Sequence, residues 1–337
     1  MRLLCFMVLF PLGCVEYDLQ RFDGTDIFYQ KPAELVDILL VVDNSCSMEP
    51  YQNKLASNFE SFIQFFVDVD VDYHIGVTTT TVTDPWVGGN CSQQQVNKIP
   101  EPGHLVFDRV IDTETNNAED LFSQMVNVGT CGSGSELGLE AAALALGSAA
   151  NADFLRAEAD LSVIFVSDEE DGSPLPVNDY LNAYREAKPD GGRESMDVSA
   201  LVVTDLNSCD NQQLQAGATT GHRYLDVAEQ GKGIIGNICA DDFASIVTDL
   251  SLNSSRLSDT FYLSSRPDLT TLEIEVNAEV FPCEDGTWDY QLETQDDGSE
   301  LPVIVFKREF LPPPSSQIAI RYFDGEGNPA DFCGGAQ

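Results

Sequence analysis

Three short runs of nearly unbroken aliphatic residues constrain this chain most: Asp37–Val42, Leu161–Val166 and Val198–Val203. A strand buried on both faces reads this way, because neither of its alternating sets of side chains can be polar. Helical patterns lie between the runs. From Met48 to Phe66, Leu55, Phe59, Phe62, Ile63 and Phe66 recur at three- and four-residue steps and line one face. Ala118–Val128, the Ala- and Leu-rich Glu136–Ala150, Val177–Ala187 (stopped by Pro189) and Phe243–Leu252 also read as helices. Tyr73–Val82 is a further strand rich in Val and Thr, and a short one is expected around Leu105–Phe107. Strands alternating with helices predict an α/β fold, a doubly wound and mainly parallel sheet.

The pattern changes near residue 260. In Thr270–Val280, Leu272, Ile274 and Val276 alternate with Glu273, Glu275 and Asn277, the period of a half-exposed strand. Pro302–Phe306 and Gln317–Tyr322 are further strands, with turns at Glu284–Gly286, Asp296–Gly298 and Pro312–Pro314. No helix is expected there. The 337 residues therefore divide into an α/β domain over 34–258 and a small all-β module over 259–337. Trp288 and Tyr290 are expected to pack the core of that module.

Before residue 34 the chain carries targeting signals. Arg2 precedes an apolar run from Leu3 to Leu12, too short to span a bilayer but suited to a signal peptide over 1–13. Phe10-Pro11-Leu12-Gly13-Cys14 resembles a bacterial lipobox, with Pro11 where that pattern has Leu. The resemblance implies that Cys14 becomes a lipid-bearing N-terminus, holding an exported protein to a cell-envelope membrane, such as a bacterial outer membrane or the cell surface, without a spanning helix. Residues 14–33 are polar and irregular and read as a tether.

Composition narrows the partners. There are 56 acidic against 17 basic residues, a formal net charge of −39, which repels nucleic acid and anionic lipid headgroups and concentrates divalent cations. Of the nine cysteines, setting aside Cys5 in the signal and Cys14 leaves seven, none in a CxxC pair or beside a histidine, which excludes the usual zinc patterns. Export to an oxidising compartment makes disulfides the expectation. Cys91 with Cys131, Cys209 with Cys239 and Cys283 with Cys333 is the pairing adopted, which leaves Cys46 free.

The first buried strand runs straight into Asp43-Asn44-Ser45-Cys46-Ser47, an Asp-x-Ser-x-Ser sequence ahead of a helix. In an open α/β sheet that place is the crevice at the carboxyl ends of the strands, where ligands bind. One carboxylate and two hydroxyls at alternate positions can converge on a hard cation, and Mg²⁺ takes about six oxygens at roughly 2.1 Å. Partners from other strand ends are at hand: Leu161–Val166 runs into Ser167-Asp168, and Gly132-Ser133-Gly134-Ser135-Glu136 opens the Ala-rich helix. Taken alone, the motif reads as a capped helix start with Ser45 or Ser47 as N-cap.

At these residues the chain resembles von Willebrand factor A (VWA) domains with a metal-ion-dependent adhesion site. The resemblance spans roughly residues 34–325 and includes Val166–Asp171 and the closing segment Gly231–Phe243, as in a group of exported bacterial VWA proteins. It implies that Asp43, Ser45, Ser47 and Asp168 hold a cation, with the hydroxyls touching it directly and the carboxylates acting mostly through water. The second-loop Thr of the family falls on Ser135 by its spacing to the next helix, with Thr130 as the rival. Mg²⁺ is the implied cofactor, with Mn²⁺ or Ca²⁺ as alternatives, and an Asp or Glu of a protein partner would fill the open position.

Other features are weaker. The acidic run Asp168–Asp171 could build a Ca²⁺ site, but apart from Asp168 it reads as a solvated loop. Asp68, Asp70 and Asp72 lack the Gly and the closing Glu of a Ca²⁺ loop, and Gly132-x-Gly134 lacks the Lys of a phosphate loop. His74 reads as structural, and no Gly-x-Ser-x-Gly elbow is present. The sequence therefore reads as a binding protein and not an enzyme. A structural lipoprotein of an envelope assembly is the alternative, and a metal-dependent hydrolase using the acids around Asp168 is a more remote one.

Overall fold

The computed structural model describes residues 24–326 except 32, 34, 69–70, 84–90, 98, 189–195, 283–285, 296–297 and 308–309. The signal run, Cys14, Cys283 and Cys333 therefore lie outside the described residues. Strand β1 (Gly24–Tyr29) comes first, then β2 (Leu35–Val42), helices α1 (Glu49–Ser57) and α2 (Phe59–Asp68), β3 (Asp72–Thr79), the single turn α3 (Gln93–Val96), β4 (Ile111–Asp112), α4 (Ala118–Val126) and α5 (Gly138–Gly147). β5 (Asp160–Ser167), α6 (Val177–Ala187), β6 (Met196–Val202), α7 (Asn211–Ala216), α8 (His222–Gln230), β7 (Lys232–Asn237) and α9 (Ala244–Ser254) follow. The remaining strands are β8 (Thr260–Tyr262), β9 (Glu273–Val276), β10 (Glu279–Val280), β11 (Trp288–Thr294), β12 (Glu300–Phe306) and β13 (Gln317–Tyr322).

Contacts divide the chain between Ser258 and Asp259 into two compact units. In the larger, Gln30–Ser258, six strands form one sheet in the order β4-β3-β2-β5-β6-β7. All neighbours are parallel except the short edge strand β4. The unbroken aliphatic runs are explained by helices on both faces. Along β2, Ile38, Leu40 and Val42 enter a core with Phe62, Phe66, Phe122 and Leu250, while Leu39 and Val41 enter the opposite one with Leu139, Ala142, Phe165 and Tyr224. No helix among the described residues is long and apolar enough to cross a membrane.

Several local expectations are corrected. The helix expected over Met48–Phe66 breaks at Asn58, whose side-chain amide donates to the Lys54 carbonyl at 2.9 Å and competes with the helical ladder. The strand expected around Leu105–Phe107 is a 3₁₀ turn over Val106–Asp108, because Phe107 and Asp108 take positive φ values of 60° and 48° that no strand sustains. Helices α7 and α8 and strand β7 have no counterpart in the sequence reading. β7 looks unlike a strand because it contains glycine, yet a Cβ at Gly233 would sit 2.0 Å from the Val198 carbonyl oxygen, so only glycine permits that pairing.

The second unit comprises β8–β13 and also β1, from the stretch read as an irregular tether. β1 pairs antiparallel with β13 from Gly24↔Tyr322 to Tyr29↔Gln317. Its alternation is hidden because Ile27 and Tyr29 face outward on an edge strand, which inverts the usual apolar-in pattern. Sheets β1-β13-β9-β10 and β11-β12-β8 share one core, in which Trp288 and Tyr290 are buried beside Ile274, Ile304, Phe306 and Ile320. The Trp288 indole N–H donates to the Phe281 carbonyl at 2.8 Å.

Candidate metal centre

Register places the site. Val42 pairs with Thr79 on one side and Val166 on the other, so Asp43, Thr80 and Ser167 leave the same edge of the sheet side by side. Backbone bonds extend this past the strands: Asp43 N–H donates to the Val166 carbonyl at 2.9 Å, and Thr80 N–H to the Val42 carbonyl at 3.3 Å. The loop then turns into α1, whose first turn contains Pro50, a residue with no N–H to leave unsatisfied there. Gln52, one turn in, donates to the carbonyls of Asp43 (3.0 Å) and Gly129 (2.9 Å) and so pins two loops together.

Asp43 is fully buried. Its Oδ1 accepts from Ser45 N–H at 2.7 Å and its Oδ2 from Ser167 Oγ at 2.6 Å. The Ser45 and Ser47 hydroxyls lie 3.1 Å apart, and Ser47 Oγ donates to Asp168 Oδ1 at 2.9 Å. Four of the five residues read from sequence as metal-binding are thus joined in one hydrogen-bonded cluster: Asp43 and Ser45 by one bond, Ser45 and Ser47 by the next, and Ser47 and Asp168 by the last. Ser135, the fifth, stands exposed on its loop with its N–H on Ser133 Oγ at 3.1 Å, and its rival Thr130 is half-buried. Ser133 is buried between them and accepts that bond, while its own N–H donates to Thr81 Oγ1 at 2.9 Å. Gly132 lets this loop approach, since a Cβ there would lie 2.2 Å from Asn44 Oδ1.

The sequence reading missed Glu136. Its carboxyl group is buried, accepts from Thr80 Oγ1 and lies against that of Asp43. No spacing rule singles it out, because it follows a Gly/Ser loop and precedes a helix, where an acid usually serves the helix terminus. The acidic run is also not the solvated loop expected. Glu170 accepts from the first N–H groups of α8, those of His222 and Arg223, both at 3.0 Å. Asp171 is buried, accepts from Leu139 N–H at 3.1 Å at the start of α5, and pairs with Arg223 Nε at 2.8 Å. Two helix N-termini converge on these acids, which is why they cluster.

Burial dominates the electrostatics. It raises the Asp43 carboxyl above the usual range against the lowering effect of its Ser167 and Ser45 bonds. Burial, and then the charge of Asp43, push Asp168 up to about 7. The same two causes, in the same order, raise Glu136 and Glu169. Asp168 Oδ2 and Glu136 Oε1 are buried and accept no hydrogen bond. Among the described residues no three His, Cys, Asp or Glu side chains are disposed as a metal cage. The donor set is instead mixed, hydroxyls with carboxylates, all hard oxygens. Crowded anions with unsatisfied oxygens and two hydroxyls that bond only within the cluster fit a hard divalent cation.

The described disulfides are Cys91–Cys131 and Cys209–Cys239, as expected, and Cys46 is free and exposed within the cluster loop. Cys131 directly precedes Gly132, so the first disulfide anchors the loop that faces Asn44.

No protein-family model and no curated protein matches the sequence. Solved structures with partial likeness include proximal thread matrix protein 1 from the mussel byssus, with a zinc-occupied MIDAS motif (14% identity, 67% of this chain, 47% of that chain, TM-score 0.40). The pilus adhesin SpaC from Lactobacillus rhamnosus GG overlaps at 12% identity, 89% of this chain, 41% of that chain and TM-score 0.41. The ArnB paralog VWA2 from Sulfolobus acidocaldarius overlaps at 9% identity, 90% of this chain, 64% of that chain and TM-score 0.37. The chain thus spans less than two-thirds of the length of each. By its own strand order, helices on both faces and the Asp43–Ser47 loop at the carboxyl edge of the sheet, the unit Gln30–Ser258 has the mainly parallel, doubly wound α/β fold expected from the sequence.

Proposed function

We propose that this protein is a cation-dependent binding protein of the cell envelope, gripping an acidic side chain of a protein partner at the edge of its larger unit. The observation that carries the reading is the buried cluster Asp43–Ser45–Ser47–Asp168, in which Asp168 Oδ2 is buried without a donor. Asp43, Ser45, Ser47 and Asp168 would hold the cation, Mg²⁺ in preference to Mn²⁺ or Ca²⁺. A bound divalent cation supplies an electrophilic centre for an outside carboxylate.

The chain's own groups fix the rest. Ser167 and the Ser45 N–H orient Asp43, and Gln52 clamps the loop base to Gly129. The partly exposed Ser47 and exposed Cys46 form the outer rim, where a partner would approach. The two disulfides support passage through an oxidising compartment. Lipidation at Cys14 would then hold the protein on a membrane and present the site outward.

The test is titration calorimetry with Mg²⁺ and Mn²⁺ on wild type, Asp43→Ala and Ser47→Ala, followed by an acidic peptide with and without the cation. One-to-one cation binding lost in both variants, with peptide binding only in its presence, is the expected result. A wild type that binds neither cation overturns the reading and leaves a structural role for the domain.

A further inference from the structure

Glu136 sits where three strand-end loops meet. Its Oε2 accepts from Thr80 Oγ1 after β3, its carboxyl lies against Asp43 after β2, and its backbone carbonyl accepts from Gly172 N–H at 2.6 Å after β5. Leu137 N–H donates to the Thr80 carbonyl at 3.2 Å and closes the same junction. The residue is 2% exposed, and Oε1 accepts no hydrogen bond from the protein.

A structural role for Glu136 would need only an acceptor for Thr80, which an amide supplies as well. Two buried carboxyl groups side by side cannot both ionise cheaply unless a positive charge compensates them, so a bound cation is what would let both act as carboxylates. The buried or half-buried ion pairs of this unit lie elsewhere: Arg223 is paired with Asp171, Arg156 with Asp37 and Asp72, Lys188 with Asp37, and Arg256 with Asp160 and Asp197, while Lys54 Nζ donates to the Ala240 carbonyl at 2.7 Å.

We propose that Glu136 is a supporting anion of the cation site, acting beside Asp43 through its charge and through bound water and not as a third directly ligating carboxylate. This rests on the cation-binding reading above. The added negative charge makes the site retain its cation more tightly than two carboxylates would. It also reduces the cation's pull on a partner carboxylate, so the protein trades grip on its partner for retention of its metal.

The experiment compares wild type, Asp43→Ala, Glu136→Gln and Glu136→Ala by calorimetric titration with Mg²⁺ and Ca²⁺ and by thermal unfolding in EDTA. Glu136→Gln keeps the Thr80 acceptor and the side-chain volume and removes only the charge. The expected result is a cation affinity weaker by about tenfold or more in Glu136→Gln, the scale of a supporting group around a metal. The same variant should melt higher than wild type in EDTA, because the amide keeps the Thr80 acceptor without a second buried carboxyl beside Asp43. Glu136→Ala should bind as weakly as Glu136→Gln, with the melting gain lost to the cavity and the freed Thr80 hydroxyl. Wild-type binding that Asp43→Ala abolishes and Glu136→Gln leaves within about twofold overturns this proposal alone. No binding by wild type overturns both readings.

Discussion

Ser47 Oγ donates to Asp168 Oδ1 at 2.9 Å, joining two residues 121 positions apart. Asp168 directly follows β5, and Ser47 lies on the loop that leaves β2, the strand paired in parallel with it, so the β2–β5 register brings the two loops together. It occupies one oxygen of Asp168 and leaves the other buried without a donor. The hydroxyl is thus held close to a carboxylate that still lacks a positive partner.

Cation affinity should depend on pH through Asp168. Its carboxyl is pushed up to about 7 by burial and then by the charge of Asp43. A raised carboxyl favours the acid form in the fold, so in cation-free protein its contribution to stability is complete below the ordinary value of roughly 3.9 and is lost as pH rises through the folded value. Cation binding needs the carboxylate and runs the opposite way. Mg²⁺ affinity should strengthen between pH 5 and 7 by up to about tenfold per unit for one released proton, then level off. Calorimetry at four pH values checks this, and a flat profile removes Asp168 from the set that titrates.

At the other end of β2, Asp37 binds Arg156 Nε at 2.7 Å and lies 3.8 Å from the Nζ of the buried Lys188. Lys188 Nζ also donates to the Arg156 carbonyl at 2.6 Å. Asp37→Ala leaves the buried Lys188 without its ion pair and Arg156 with Asp72 alone, and should cost about 3–5 kcal/mol of stability. Urea unfolding measures it. Mg²⁺ affinity should be unchanged, since the substitution is at the amino end of the strand and the candidate site at the carboxyl end.

The acids after β5 should separate by role. Asp171→Ala removes the acceptor at the start of α5 and the partner of Arg223, and should cost about 2–3 kcal/mol. Glu169→Ala removes a half-buried like charge near Asp43 and should change stability by no more than about 0.5 kcal/mol. Equal losses in the two variants would argue that the run acts as one undifferentiated patch.

Under native conditions a maleimide should label Cys46 and leave Cys91, Cys131, Cys209 and Cys239 unlabelled, as read by peptide mass mapping. Replacing Cys91 and Cys131 together by Ala opens a loop with a sequence separation of 40 and should cost about 4 kcal/mol in the chain-entropy description. That variant should also bind Mg²⁺ less tightly, because Cys131 anchors the loop of Gly132 and Ser133.

The aliphatic runs and the Asp-x-Ser-x-Ser turn were legible because they follow local rules. A strand covered by helices on both faces cannot hide its composition, and a ligand loop at its carboxyl end follows from where such sheets bind. The edges were less legible. β7 is disguised by Gly233, present because a backbone carbonyl presses on it, and β1 by Ile27 and Tyr29, which face outward. The site divides in the same way. Asp43, Ser45 and Ser47 lie on one turn, and Asp168 was found by its strand-end position. Glu136 enters only through packing: its oxygens meet Thr80 and Asp43 from a third loop, and no spacing along the chain encodes that meeting. Sequence alone thus determined the sheet, the turn and which oxygen-bearing side chains of Asp43, Ser45, Ser47 and Asp168 would meet in the candidate site. Tertiary structure decided which acids cap helices and which crowd together without a counter-charge, because that depends on strand register and burial.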